Sequence, residues 1–297
     1  MTGPVRWDDP VAAGDFLVRC ALEEDAASLD AATCALGPAG RSTQTACAVP
    51  RGEIVVCGWF LVEATWRILA EDLGFGAVRV ERRMPDGATA RPGSVVGTVS
   101  GPVDSLLRGE RVALNMLARL SGIATLTRRF VLAVEGTGVE ILDTRKTTPG
   151  HRALERYAVR TGGGTNHRFD LAAMAMIKDN HLAAAGGTDA LRPMLDRLPA
   201  GLPVEIEVDT LEQLSRVLPL RPARVLLDNM SPDLLRRAVA MAAGSGCYLE
   251  ASGGVSLDGL RAMAGTGVDG ISSGALTHSA AWADIGLDWR SDEQTRS

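Results

Sequence analysis

The chain lacks the cysteine pattern of a stapled or zinc-bound fold. Its five cysteines, Cys20, Cys34, Cys47, Cys57 and Cys247, are odd in number and form no CxxC. A disulfide framework and a structural zinc site are therefore excluded, and a reducing compartment fits. No apolar run reaches the roughly 18 residues that would read as a membrane span. The opening residues, MTGPVRWDDPVAAGDFLVRC, carry acids where a secretory signal needs a basic start. The expectation is a soluble cytoplasmic protein with no membrane partner. Basic excess is missing as well. The net charge of -5 argues against nucleic acid as a partner, so an anion site here must be a local gathering of cations rather than a global field. GxxxxGK[ST] is absent, which removes the simplest ATPase reading, and no GxGxxG opens the first βα turn.

What is present is globular: 297 residues, 46% hydrophobic and 23% charged, enough for one large α/β domain or two domains. Asp8, Asp9 and Pro10 open an amphipathic helix expected over residues 8–35. Short strands are expected at Thr43–Val49, Ile54–Cys57, Ala77–Arg82 and Ser94–Ser100, with a helix over Trp59–Leu73. Strands and helices do not alternate strictly, so residues 1–110 read as an N-terminal α+β open sandwich domain. Leu106–Gly136 carries helical spacing for about two helices' length, and its Arg108, Arg128 and Arg129 read as a solvated face.

From Val139 the rhythm becomes regular. Apolar strands are expected at Val139–Leu142, Ala173–Ile177, Val204–Val208, Arg224–Leu227, Cys247–Ala251 and Gly270–Ser272. Helices are expected between them at Pro149–Arg160, Thr188–Arg197, Thr210–Leu218, Pro232–Ala243 and Leu257–Ala264. That is the period of βα units in a parallel sheet, doubly wound or closed. A polar side chain ends nearly every strand, which favours an incomplete parallel α/β barrel of about six or seven strands over residues 111–280. The tail, 281–297, is expected to pack back on the first domain as a strand, with a frayed polar end beyond Arg290.

In a parallel barrel all strand ends face one way, and active sites are built there. The successive ends here deliver Asp143, Arg145 and Lys146, then Lys178, Glu207, Asp228, Ser252-Gly253-Gly254 and Ser273-Gly274, with His167 and Arg168 in the loop between the first two strands. Singly, each has an ordinary reading. A lysine after a strand is surface, Asp228 caps the helix near Pro232, and the glycines are tight turns. Jointly those readings fare badly, because every strand would have to end in a polar group by chance. Arginine and lysine donate to carboxylates and phosphates. Gly-Ser loops let backbone N–H groups approach a phosphate. Two carboxylates without cysteine or histidine ligand spacing suit a hard cation such as Mg²⁺. The pattern points to a phosphorylated substrate beside a second, acidic one.

At these residues the chain resembles the quinolinate phosphoribosyltransferase family. The matching stretches are RVALNMLARLSGIAT (111–125), DTRKTTPG (143–150), GGGTNHRFDL (162–171), IKDNH (177–181), EIEVDTLEQL (205–214), VLLDNM (225–230), LEASGG (249–254) and VDGISSGALTHS (268–279). The resemblance implies an open sandwich followed by an incomplete barrel, in a homodimer. It implies transfer of phosphoribosyl from phosphoribosyl pyrophosphate to quinolinate with loss of CO2, a step in NAD biosynthesis. By position, Arg145, His167, Arg168, Lys146 and Lys178 would hold the quinolinate carboxylates and nearby phosphates, with Arg111 arriving from the neighbouring subunit. Lys146, Lys178, Glu207 and Asp228 would carry the catalysis, and Glu207 and Asp228 would organise Mg²⁺-pyrophosphate. Ser252, Gly253, Gly254, Ser273, Gly274 and His278 would surround the 5′-phosphate. Ala118, His151 and Ser273 depart from the family's usual residues. The alternatives are a molybdenum-linked paralogue acting on another acidic base, a nicotinate-using transferase, and a non-catalytic barrel that only binds phosphorylated metabolites.

Overall fold

Asp9 starts the first helix by accepting the Val11 amide at 2.9 Å, with Pro10 at the first helical position. That helix covers only Pro10–Glu24, not the residues 8–35 that the spacing suggests. Ala26 turns left-handed (φ 48°), which breaks the ladder. A 3-10 turn at Ala27–Leu29 follows, and Asp30 caps a short new helix, Ala31–Cys34. The computed structural model describes residues 5–289, so the polar end beyond Arg290 lies outside the described residues.

The chain divides into two units. One holds the residues through Arg128, Thr147–Gly163 and those from Ala280 on; the other holds Arg129–Lys146 and Gly164–Ser279. In the first unit the strands are β1 (Thr43–Pro50), β2 (Ile54–Val55), β3 (Arg79–Arg82), β4 (Thr89–Ala90) and β5 (Gly97–Pro102). An antiparallel sheet runs from the C-terminal strand Ile285–Trp289 through β1 and β5 to β3, with Ala48 opposite Leu287 and Cys47 opposite Thr98. The helix Trp59–Leu73 buries Trp59, Leu61, Trp66 and Ile68. β5 accommodates it with Gly97, where a Cβ would stand 2.3 Å from the Trp59 ring.

The segment of continuous helical spacing is one helix, Val103–Ala133. Its Arg108 is buried rather than solvated. Nη1 donates to Ala27 O, Nη2 lies 3.1 Å from Cys34 Sγ, and the guanidinium sits 4.7 Å from the Phe75 ring centroid. Partners from three segments replace the water this cation gives up. Arg128 is half-buried, and its Nε donates to Gly162 O at 2.9 Å.

The second unit carries β6 (Glu140–Leu142), β7 (Ala175–Ile177), β8 (Val204–Val208), β9 (Arg224–Asp228), β10 (Tyr248–Ser252) and β11 (Gly270–Ser272). All pairings are parallel, and the order is β6-β11-β10-β9-β8-β7. First strand pairs with last, as in a barrel; only the β6–β7 seam lacks a strand pairing. The barrel is therefore incomplete and has six strands. Ile141, Leu142, Ile206, Val225, Leu227 and Ile271 form its apolar centre. The crossover helices start on local caps: Thr210 and Gln213 form a capping box for Leu211–Val217, and Ser231 caps Pro232–Ala242. The single helix expected at Thr188–Arg197 is a 3-10 turn, Thr188–Ala190, followed by the helix Leu191–Leu195. A short helix, Asp179–Ala185, lies where no helix was expected. No helix among the described residues is long and apolar enough to cross a membrane.

Candidate active site

Parallel register sets the strand ends side by side. Ser252 pairs with Asp228, and Leu226 with Glu207, so the residues that close β8, β9 and β10 share one rim. They line a cavity of about 420 Å³ in the barrel unit, together with Arg145, Lys146, His167, Arg168 and Lys178. Eight sequence-derived site residues, Ser252 among them, thus meet at one mouth. Gly253, Gly254, Ser273, Gly274 and His278 do not line it, although Gly274 adjoins it: a Cβ there would stand 2.9 Å from Lys146 Cδ and 3.0 Å from His278 Nε2. Gly253 has φ 92°, and a Cβ there would stand 2.1 Å from Asn229 Oδ1, so β10 can exit beside β9 only with glycine at this point. Arg111 belongs to the other unit and is exposed on its helix.

Buried Asp143 builds the side of the cavity that carries His167 and Arg168. Its carboxylate accepts the His167 amide at 2.7 Å and Asn166 Nδ2 at 2.5 Å, tying the loop after the three glycines to the end of β6. The Arg168 amide donates to His167 Nδ1 at 2.8 Å, and Arg168 Nη1 donates to Met174 O at 2.9 Å. Burial first, and the Arg145 cation second, pull the Arg168 guanidinium below its usual range. Two like charges held together and partly dehydrated form a site that favours an anion between them.

His167 Nε2 lies 3.1 Å from Glu205 Oε2 and 3.2 Å from Glu250 Oε2. Burial disfavours the imidazolium, but the two carboxylates outweigh it and lift the ring to about 9. The Arg168 amide at Nδ1 opposes a second ring proton. Both features place a proton on Nε2. Burial likewise pushes the Glu205 carboxyl up, aided by the Glu250 charge and countered by His167. By composition these three could ligate a metal; their ion-pair distances equally fit a histidine placed between two carboxylates.

At the ends of β7, β8 and β9, Lys178 Nζ pairs with Glu207 Oε2, and Asp228 Oδ2 accepts from Asn229 Nδ2 at 2.6 Å. Lys146 is exposed; its carbonyl accepts the Thr277 hydroxyl at 2.7 Å. Thr144, Met176, Leu226, Glu250 and Ser272 also line the cavity. Strand-end spacing does not reveal them, because Met176 and Leu226 read as ordinary core and Glu250 lies inside an apolar run. One signal lies in the composition. Lys146 and Lys178 are the only lysines in the chain, against twenty-nine arginines, and both line this cavity. Gly270-Ile271-Ser272-Ser273-Gly274 also spells the GxSxG of a nucleophile elbow, but Ser272 is 2% exposed and no histidine bonds it among the described residues.

Residues 30–121 match the family model described as "Quinolinate phosphoribosyl transferase, N-terminal domain", and residues 123–288 match that of the C-terminal domain. The chain is 46% identical over 275 residues to a nicotinate-nucleotide pyrophosphorylase [carboxylating] of Mycobacterium leprae, covering 91% of this chain and 95% of that protein. It is 41% identical over 209 residues to the human protein of that name, covering 69% and 70%. A crystal structure of nicotinate-nucleotide pyrophosphorylase from Ehrlichia chaffeensis superposes with a TM-score of 0.85 at 35% identity, covering 92% of this chain and 97% of that one.

Proposed function

The chain belongs to the quinolinate phosphoribosyltransferase family, and on that premise we propose how its barrel mouth performs the reaction. The enzyme is a pentosyltransferase of NAD biosynthesis. It joins quinolinate to phosphoribosyl pyrophosphate and yields nicotinate mononucleotide, pyrophosphate and CO2. The observation that carries the reading of the site is the grouping of Arg145, Lys146, His167, Arg168 and Lys178 with Glu207 and Asp228 around one cavity.

The chemistry follows from where charge develops. The pyridine nitrogen attacks C1 of the ribose while the C1–oxygen bond to pyrophosphate breaks, its electron pair leaving with the phosphate. Positive charge accumulates on the sugar ring and negative charge on the leaving group. Carboxylates near the former and cations near the latter stabilise the transition state. Glu207 and Asp228 fill the first role, and Lys146 with Lys178 the second. The ring nitrogen is then cationic, and its charge stabilises the electron pair left on the adjacent carbon when that carbon's carboxylate departs as CO2; a proton from water then adds to the carbon. Arg145 and Arg168 orient the diacid, and a dry mouth spares the activated sugar from water. Ser252, Gly253, Gly254, Ser273, Gly274 and His278 serve the 5′-phosphate.

Glu207 and Asp228 offer two hard oxygen donors on one rim, as Mg²⁺ takes when phosphates and water complete its shell. They would hold the ion, and when bound it supplies charge neutralisation to the pyrophosphate. A partner subunit in a homodimer would add Arg111 to the acid-binding side.

The test incubates purified protein with quinolinate, phosphoribosyl pyrophosphate and Mg²⁺ and measures nicotinate mononucleotide and CO2. Absence of product would sink the assignment. Product from nicotinate but not quinolinate would favour the mono-acid alternative. Chelating Mg²⁺ should abolish turnover and readdition restore it; full activity in excess chelator removes the metal role of Glu207 and Asp228.

A further inference from the structure

Two buried carboxylates at the barrel centre have no part in the proposed chemistry. Glu205 on β8 and Glu250 on β10 are both 0% exposed. Carboxylates are almost never buried so completely unless paired, and a buried ion pair is commonly no more stabilising than apolar residues of the same volume. Stability therefore gives little reason for them. Their geometry gives a better one. Although the two strands flank β9 on opposite sides, both carboxylates converge on one atom, His167 Nε2, at 3.1 and 3.2 Å. Arg224 Nη1, 3.4 Å from Glu250 Oε2, braces the second carboxylate from the start of β9, its guanidinium 4.2 Å from the Tyr248 ring centroid. The Tyr248 hydroxyl in turn donates to Glu140 at 2.8 Å.

The histidine's amide donates to Asp143 Oδ1, its Nδ1 accepts the Arg168 amide, and its Nε2 lies within 3.2 Å of both glutamates. Arg168, the next residue, points its guanidinium to Met174 O and Met176 Sδ beside the cavity. The ring is a strut, with acids at its foot and the arginine's backbone at its head.

We propose that Glu205 and Glu250 are positioning residues that act through His167 to fix Arg168 for the carboxylates of the acidic substrate. This rests on the quinolinate reading of the mouth. Without either acid the ring can rotate, the Arg168 amide loses its acceptor, and the guanidinium that reads the diacid moves. The sugar-phosphate half, at Asp228 and Ser252, keeps its own supports.

The experiment uses Glu205→Gln and Glu250→Gln in the full chain, with folding checked by cooperative thermal unfolding. The KM for quinolinate should rise about tenfold or more, the scale on which losing the partner that orients a metal-bound histidine acts, while the KM for phosphoribosyl pyrophosphate stays within about a factor of two. Calorimetric titration of quinolinate into each protein should show the same loss without turnover. In a His167→Asn background, Glu205→Gln should add almost nothing, because its effect passes through the missing ring. Three results would overturn the proposal: parallel rises in both KM values, an undiminished Glu205→Gln effect in the His167→Asn background, or a stoichiometric metal ion on the wild type that Glu250→Gln releases. If Glu205→Gln does not fold, Glu250→Gln carries the same cycle. A wild type that binds no quinolinate and makes no product would instead overturn the quinolinate reading itself.

Discussion

At the scale of residues, the two lysines are the most informative side chains. A chain that uses arginine almost everywhere keeps lysine only at Lys146 and Lys178. A compact point charge on a flexible stem follows a moving leaving group, whereas the planar guanidinium fork is suited to fixed carboxylates. Lys146→Ala should nearly abolish turnover with folding intact; ordinary activity would remove Lys146 from the site. The same scarcity makes a chemical test possible. Apart from any free α-amino group, amine-directed acylation can reach ε-amino groups only inside the mouth, so limited acylation should inactivate the enzyme. Phosphoribosyl pyrophosphate should protect it, with peptide mapping placing the adducts on Lys146 and Lys178; inactivation without either adduct contradicts this. The sequence made Lys178 and Asp228 legible because each closes an apolar run, and Glu207 because it stands one residue before the end of its strand. Glu205 and Glu250 stayed hidden for the converse reason. They lie inside strands, where a period of two gives a side chain's face but not its depth in the barrel.

At the scale of elements, packing decided what local propensity left open. The helical spacing read over Leu106–Gly136 for about two helices' length is one helix, Val103–Ala133, despite two interior glycines that would each cost about 1 kcal/mol in an isolated helix. Each sits where another segment crosses. A Cβ at Gly109 would stand 2.4 Å from Trp66 Nε1, and one at Gly122 only 2.0 Å from the Ala281 carbonyl oxygen. Gly122→Ala should therefore destabilise by about 1–3 kcal/mol through overpacking, although helix propensity alone predicts a gain. A higher denaturation midpoint in urea would contradict the close approach. The break at Ala26 escaped the hydrophobic spacing because it depends on Asp30, which reopens helix geometry by accepting the Ala32 and Thr33 amides at 3.0 and 3.2 Å. The Thr33 hydroxyl and amide hold this carboxyl below its ordinary 3.8. A depressed folded-state value means stability that is present above 3.8 and lost as pH falls through the lower folded value. Asp30→Ala should cost about 1 kcal/mol near neutral pH, and its gap from wild type should shrink in acid. A gap independent of pH would show that the charge of Asp30 does not contribute.

At the scale of the whole molecule, the strand rhythm announced a parallel sheet, but the sequence could not show that β6 pairs with β11, since pairing of first with last is a fact of topology. Nor could it show that Thr147–Gly163 joins the first unit, because its helix has the spacing of any βα crossover. With a net charge of -5, the acid-binding side depends on cations gathered locally, and one of those proposed, Arg111, is an exposed residue of the other unit. If it serves the mouth of a second copy, each site of a homodimer draws on both chains. Arg111→Ala and Lys178→Ala proteins should each be inactive. In a mixed dimer, the Arg111→Ala chain keeps its own Lys178 and receives an intact Arg111 from its partner, so one of the two sites is whole. Random exchange makes about half the dimers mixed, and activity should return to about a quarter of wild type. Native mass spectrometry on differently tagged chains verifies the exchange. Arg111 acting within its own chain leaves both sites of the mixed dimer defective, so verified mixed dimers without recovered activity would place Arg111 outside any shared site.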